Sequence, residues 1–144
     1  VVVAAETGKV IGAAPGKYGE GKVVLSGVLE KPITIRGTRM DTAAAVFISF
    51  SLRECKYVNL ENVTVNGIIS NKGVIDLGNT EGVAVRYCRI NAVYGITADN
   101  VNRPARNCYV ADNTVISTVP WIEASLGSSG AHVGEGIQLT GLKG

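Results

Sequence analysis

The sequence predicts an all-β fold, a right-handed single-stranded parallel β-helix with three short parallel sheets and about five rungs of about 25 residues. Two observations predict it. Short apolar stretches recur at a fixed interval, so that Leu60, Val85 and Val110 stand one period apart along the chain. No tight turn would fold one stretch back onto the next, so the strands are expected to stack on successive turns of a coil.

Three apolar positions of each repeat keep one register along the chain. These predicted inward columns are Ile33, Val58, Val83 and Cys108, then Ile35, Leu60, Val85 and Val110, and then Met40, Val65, Ile90 and Val115. The side chains between them are predicted to point outward, because neighbouring side chains of a strand lie on opposite faces. The outward residues of the second strand are Thr34, Asn59, Ala84 and Tyr109.

A further strand precedes these in each period, in the stretches "VVLSG", "SFSL" and "VIDL". It predicts a column of Leu25, Phe50 and Ile75, which are also spaced by one period. The next member, "GITAD", comes four residues early, and the connection "NVNRPAR" is four residues longer, so that the rung keeps its length. The predicted organisation is one domain with an N-terminal rung at 1–22, rungs at about 23–47, 48–72, 73–93 and 94–118, an insertion at 118–135 and an incomplete rung at 136–144.

The bend after the second strand falls on Gly37, Asn62, Tyr87 and Asp112. Gly, Asn and Asp tolerate the left-handed conformation that a sharp bend needs, whereas nothing in the sequence explains a tyrosine there. Asn113 stands in the column of Thr38, Val63 and Cys88. It predicts either a buried amide with partners along the stack or a small local shift.

Composition excludes several classes of partner. The formal net charge is +2 and no run of Lys or Arg occurs, so nucleic acid is not expected as a partner. No stretch approaches the roughly 20 apolar residues of a membrane span. The three cysteines have no metal-binding spacing. Cys88 and Cys108 are predicted to be small core residues, and Cys55 is predicted to lie exposed in a corner loop.

The repeats "YVNLENVTVNG", "GVAVRYCRI" and "NCYVADNTVIS", preceded by "PGKYGEGKVVLSGVLEKPITIRG", resemble the right-handed parallel β-helix proteins of the pectin-lyase-like superfamily. The likeness covers about residues 14–141 and extends to bacterial β-helix repeat proteins and to the alginate and chondroitin lyase group. It implies a secreted or periplasmic protein whose partner is a polysaccharide lying along the first sheet.

The resemblance also implies a set of site residues on and beside that sheet. The outward positions of the sheet are Ser26, Ser51, Asp76, Thr97 and Gln138. The predicted substrate-binding residues are Asp76, Thr97, Asp99, Trp121, His132 and Gln138. Trp121 has an alternative role as an anchor for the long loop, and Asp99 has one in shaping a corner.

A lyase acting on a uronic acid must neutralise the sugar carboxylate and remove the adjacent proton. The predicted catalytic residues are Arg103, Arg106 and Glu135, and Asp76 with Asp99 are predicted to hold Ca²⁺ as the one cofactor. A hydrolase would need two carboxylates, for which Asp99 and Glu135 are the pair. No complete lyase or hydrolase signature occurs, and the same charges are also typical of a solvated wall.

The alternative function is a noncatalytic module, or a fragment of a longer β-helix, that self-associates end to end. No capping helix is visible at "VVVAAETGKVIG", and "GIQLTGLKG" leaves its rung incomplete. Because bare terminal rungs offer unpaired backbone groups, such ends would add head to tail and build a homo-oligomer or filament.

Overall fold

The computed structural model describes residues 2–3, 6–39, 41, 44–67, 73–98, 104–118 and 135–139. Within these ranges the chain forms sixteen short strands and no helix. In chain order the strands are β1 (Val2–Val3), β2 (Val10–Ala13), β3 (Gly16–Lys17), β4 (Glu20–Val23), β5 (Ile33–Gly37), β6 (Ala45–Phe47), β7 (Ser49–Ser51), β8 (Val58–Glu61), β9 (Thr64–Asn66), β10 (Ile75–Asp76), β11 (Ala84–Arg86), β12 (Arg89–Ala92), β13 (Tyr94–Ala98), β14 (Tyr109–Ala111), β15 (Thr114–Ser117) and β16 (Glu135–Leu139).

Every third strand joins the same parallel sheet. Sheet A has the order β1-β4-β7-β10-β13-β16, sheet B the order β2-β5-β8-β11-β14, and sheet C the order β3-β6-β9-β12-β15. The protein is therefore a parallel β-solenoid, as predicted, and the chain makes about four turns rather than the five rungs expected. The right-handed coiling implied by the resemblance stays a prediction.

No helix in the ranges above is long and apolar enough to cross a membrane.

The predicted central column is confirmed in sheet B. Ile35 pairs with Leu60, Leu60 with Val85, and Val85 with Val110. The column begins one turn earlier with Ile11, which pairs with Ile35. Leu60 and Val85 are fully buried, whereas Val110 in the last strand of the sheet is partly buried. Stacking at about 4.8 Å thus provides each rung with both its backbone ladder and its core neighbours.

The predicted strand at 23–27 is wrong. The sheet A strand is β4, which pairs Gly21 with Phe50, and Leu25 lies beyond it with 44% of its surface exposed. The second rung, which follows that of β1, β2 and β3, therefore begins near residue 20 rather than 23. A Cβ atom on residue 21 would lie 2.4 Å from the ring of Phe50, so the glycine provides the space in which this ring packs. The predicted early arrival of the strand "GITAD" is confirmed, because Ile75 pairs with Ile96.

The third column also differs from the prediction. Phe47, and not Met40, pairs with Val65, because the corner before β6 is longer than in later rungs. Met40 itself lies outside the described residues. The ring of Phe47 stacks on Tyr18 at 4.9 Å and meets Phe50 edge-on at 5.0 Å. This aromatic cluster fills the core of the early rungs, where the later rungs use aliphatic residues.

The predicted left-handed corner is confirmed at three of its four positions. Asn62, Tyr87 and Asp112 have φ values of 60°, 57° and 56°. Gly37 has no positive φ and is required for a different reason, since a Cβ atom there would lie 1.9 Å from the carbonyl oxygen of Asn62. Asn113 is the amide with partners along the stack, because Oδ1 accepts from the Cys88 N–H at 2.9 Å and Nδ2 donates to a carbonyl of the rung below.

The cysteines are free thiols, and the prediction of an exposed Cys55 is wrong. Cys55 and Cys88 are buried, and burial raises the pKa of each thiol to about 11. Cys55 Sγ lies 3.4 Å from the carbonyl oxygen of Val23. Cys108 is partly buried against the core, as its column predicts.

Candidate functional site

One row of polar side chains crosses the outer face of sheet A. Lys22 pairs with Ser51, Ser51 with Asp76, Asp76 with Thr97, and Thr97 with Gln138. We call these five residues the sheet A row. Because parallel strands lie about 4.8 Å apart, the row presents a different polar group at each step along the solenoid axis.

Four of the five members were predicted from strand alternation, and Lys22 was missed. The predicted member of the first rung, Ser26, lies outside β4, where its Oγ accepts a hydrogen bond from the backbone N–H of Lys56 at 2.9 Å. No sequence signal identifies Lys22, because Gly21 occupies the position opposite Phe50 that apolar residues fill in the later rungs.

Asp76 is held in place by two contacts. Its Oδ2 accepts a hydrogen bond from Arg53 Nε at 2.8 Å, and its Oδ1 accepts one from the backbone N–H of Gly78 at 2.8 Å. The carboxylate is thus oriented and its charge is partly neutralised. A Ca²⁺ ion would have to compete with Arg53 for the same oxygen, and the part of the chain with described positions contains no group of three His, Cys, Asp or Glu residues around a common centre.

Thr97 faces outward but is covered. It is only 5% exposed, and a Cβ atom on Gly73 would lie 2.2 Å from its Oγ1, so the backbone at Gly73 passes directly over it. A ligand on this face therefore reaches the side chains on either side of Thr97 more readily than its hydroxyl. A shallow depression of about 120 Å³ lies over the early rungs and is lined by Glu20, Lys22, Ser49, Ser51, Gly73 and Asp76, among others.

Arg106, a predicted catalytic residue, lies at the corner between sheets A and B rather than in the sheet A row. It pairs with Glu81, which in turn pairs with Lys56, each one period from the next. We call these three residues the corner ladder. Lys56 Nζ lies 2.8 Å from Glu81 Oε2. This hydrogen bond raises the pKa of Lys56 and lowers the pKa of Glu81, so both groups are charged at neutral pH.

The other predicted site residues fall outside what the structure describes. Arg103, Asp99, Trp121 and His132 belong to the undescribed segments. Glu135 is placed by its backbone alone, in β16 opposite Tyr94. The predicted calcium pair and the predicted catalytic set therefore stay predictions.

The described geometry provides hydrogen-bond donors and acceptors in a line, one oriented carboxylate and one exposed lysine at the end of the line. Such a face can bind an extended polar chain. No protein-family model, curated protein or solved structure matches this chain. Its own structure assigns it to the parallel β-solenoids.

Proposed function

We propose that the protein binds an acidic polysaccharide along the outer face of sheet A, in the manner of polysaccharide lyase-like members of the pectin-lyase-like superfamily. The observation that carries the proposal is the sheet A row, in which five strands contribute one polar side chain each in continuous register. An extended sugar chain lying along the solenoid axis would meet Lys22, Ser51, Asp76 and Gln138 in sequence and would pass over Thr97, which the backbone at Gly73 covers.

The chemistry of the row suits a uronate chain. Lys22 is exposed and can pair with a sugar carboxylate, while Ser51 and Gln138 can exchange hydrogen bonds with sugar hydroxyls. Arg53 is bound to Asp76, so the charge of that aspartate is offset and repels an anionic sugar less. The row is therefore polar throughout, and Lys22 is its one cation, with the carboxylate of Glu20 two residues away on the same strand and lining the same depression.

Catalysis forms a second part of the proposal. Elimination from a uronate requires a base that takes the proton from the carbon next to the carboxylate and a group that stabilises the resulting negative charge. A C=C bond then forms as the C–O bond to the glycosidic oxygen breaks, and this leaving oxygen takes up a proton. Arg103 and Glu135 are the candidates for these roles, whereas Arg106, which the sequence also predicts as catalytic, lies in the corner ladder and outside the sheet A row. Incubation with polygalacturonate or alginate should produce unsaturated ends with a new ultraviolet absorbance, and a constant absorbance would remove the lyase reaction from the proposal while leaving the binding intact.

Replacement of Lys22 by alanine should weaken binding of polygalacturonate about fivefold, because one exposed ion pair is worth about 1 kcal/mol. The measurement is isothermal titration calorimetry at low ionic strength. Lys17→Ala is the matched control, since Lys17 is an exposed lysine in β3 of sheet C and lies off the row. Equal losses in the two variants would mean that net charge alone attracts the polymer, and would reject the sheet A row as the binding face.

A second candidate function, self-association, is favoured by the exposure of β16. Ile137 continues the buried column of Ile96 and Leu139 continues that of Ala98, yet they are 47% and 37% exposed. Apolar side chains of an inward column become buried when another rung stacks on them. A second copy of the chain is the proposed occupant.

Sedimentation velocity over a range of concentrations tests this candidate. The average molecular mass of the wild type should rise with concentration, whereas that of Ile137→Glu should stay at the mass of a monomer. Ile116→Glu is the control, because Ile116 is 40% exposed but stands outside the inward columns, opposite Asn91 in sheet C. A wild type that stays monomeric at all concentrations would reject stacking through β16.

A further inference from the structure

A buried glutamate lies between two arginines on the outer face of sheet B. Arg36 pairs with Glu61, and Glu61 with Arg86, in the strand register. Arg36 Nε donates to Glu61 Oε2 at 2.8 Å, and Arg86 Nε donates to Oε1 at 2.7 Å. We call these residues the arginine ladder. One carboxylate accepts hydrogen bonds from two guanidinium groups. The Arg36 and Arg86 side chains stay 53% and 37% exposed, so each guanidinium group keeps N–H donors for a ligand.

The corner ladder repeats this arrangement at the other end of the same strands. Glu81 stands between Lys56 and Arg106, so this ladder also has two cations for one carboxylate. The two ladders are offset by one rung. Successive rungs therefore contribute Arg36, Lys56, Arg86 and Arg106 in turn, alternating between the two ends of the strands. Along either ladder the cations recur at every second rung, about 9.6 Å apart.

Exposed aromatic rings accompany the cations. Tyr109 points outward from β14 and is 54% exposed, and its partner in the strand register is the small residue Ala84. Tyr87, at the corner, is 50% exposed, and the guanidinium carbon of Arg86 lies 5.8 Å from the centre of its ring. Exposed tyrosine rings offer flat apolar surfaces with a polar edge, which is the shape that the face of a sugar ring can cover.

The corner ladder also borders a concave surface. A groove of about 290 Å³ is lined by Glu54, Lys56, Asn79, Thr80, Glu81, Pro104 and Arg106. Asn79 and Glu81 add hydrogen-bond acceptors beside the two cations. Glu54 also lines this groove, so its two carboxylates balance its two cations, and the excess of positive charge on this side of the molecule comes from Arg36 and Arg86 beside Glu61.

We infer that the outer face of sheet B is a second binding surface for a linear uronate polysaccharide, independent of the sheet A row. Sugar carboxylates would pair with the two cations of one ladder, which stand two rungs apart, so that alternate sugar residues of the chain make the ion pairs. Sugar hydroxyls would donate to Glu81 and Asn79, and a ring would cover Tyr109. The two ladders have four cations against two carboxylates, an excess too small for the dense phosphates of a nucleic acid, which Glu61 and Glu81 would also repel.

The test uses a Lys22→Ala background, in which the sheet A row is weakened. In that background the double variant Lys56→Gln/Arg106→Gln should raise the Kd for polygalacturonate about tenfold or more, because two exposed charge contacts are lost. Tyr109→Ser, which breaks no ion pair, should raise it about threefold. The matched control is Lys17→Gln/Arg89→Gln, which removes one lysine and one arginine from the outer face of sheet C. Its Kd should change less than about twofold.

Circular dichroism of each variant confirms that the fold is intact. The inference is overturned if the Lys22→Ala protein no longer binds polygalacturonate, since the sheet A row would then account for all binding. It is also overturned if the control loses as much affinity as the ladder variant, or if the ladder variant and Tyr109→Ser bind as tightly as the background. Tighter binding of a single-stranded oligonucleotide than of polygalacturonate through the same residues would assign the face to nucleic acid instead.

Discussion

Gly37→Ala should destabilise the protein by about 3 kcal/mol, the largest effect that we expect from adding a single methyl group. The new Cβ atom would lie 1.9 Å from the carbonyl oxygen of Asn62 on the next turn. That oxygen belongs to a backbone corner, and Asn62 Nδ2 also donates to the Gly37 carbonyl at 2.7 Å, so neither turn can move without breaking this contact. The stacking distance of the rungs would have to increase locally.

Gly19→Ala is the matched control. No atom lies within 4 Å of a Cβ atom built on Gly19, and its φ is not in the left-handed region. Its free energy of unfolding should differ from that of the wild type by less than about 0.5 kcal/mol. Urea denaturation of both variants gives the comparison, and a Gly37→Ala variant as stable as Gly19→Ala would contradict the close approach of the two corners.

Glu61→Gln should destabilise the protein by about 2 kcal/mol at neutral pH. An amide offers one acceptor oxygen where the carboxylate offers two, and its NH₂ group would face a guanidinium group that is also a donor. The loss is smaller than for a fully buried pair, because Arg36 and Arg86 are partly solvated. Glu81→Gln removes the same charge from the more exposed corner ladder and should cost clearly less.

The contribution of Glu61 should also depend on pH. Burial by itself would raise the pKa of Glu61, but hydrogen bonds from Arg36 and Arg86 outweigh it and hold the pKa below its ordinary value of 4.5. As the pH falls, the unfolded chain therefore takes up this proton before the folded chain does. The stabilisation is present above about pH 4.5 and is lost as the pH falls through the folded-state pKa.

Urea midpoints measured between about pH 6 and about pH 3 test this dependence. The wild type should lose more stability on acidification than Glu61→Gln does, so the difference between the two should shrink. A difference that stays constant over this range would show that the arginine ladder contributes through packing and not through the ionised carboxylate.

Much of the sheet A row could be predicted before the structure was known. Strand alternation placed Ser51, Asp76, Thr97 and Gln138 on one outward face, and the register confirms their order. Alternation reports which way a side chain points and not what passes over it. The cover that Gly73 provides for Thr97 depends on a loop from the preceding turn, and loops have no periodicity to predict them.

The ladders of sheet B carried a signal that was not used. Arg36, Glu61 and Arg86 are spaced by one period of the repeat, as are Lys56, Glu81 and Arg106. In a solenoid, equal spacing means direct stacking, so opposite charges in one column predict ion pairs. The predicted columns contained apolar residues alone. Of these six charged residues only Arg106 was predicted to belong to a site, and the other five had no predicted role.

By itself, the period of the repeat determined the coil, because an inward apolar column such as Leu60, Val85 and Val110 can be buried only by stacking turn on turn. The tertiary structure alone decided the register of the early turns. Leu25 is as apolar as any core residue, but the rings of Phe47 and Phe50 fill the space there, and the backbone of Gly21 is what fits against them. The space available to each side chain, and not its hydrophobicity, determined this register. That space depends on how several turns pack together.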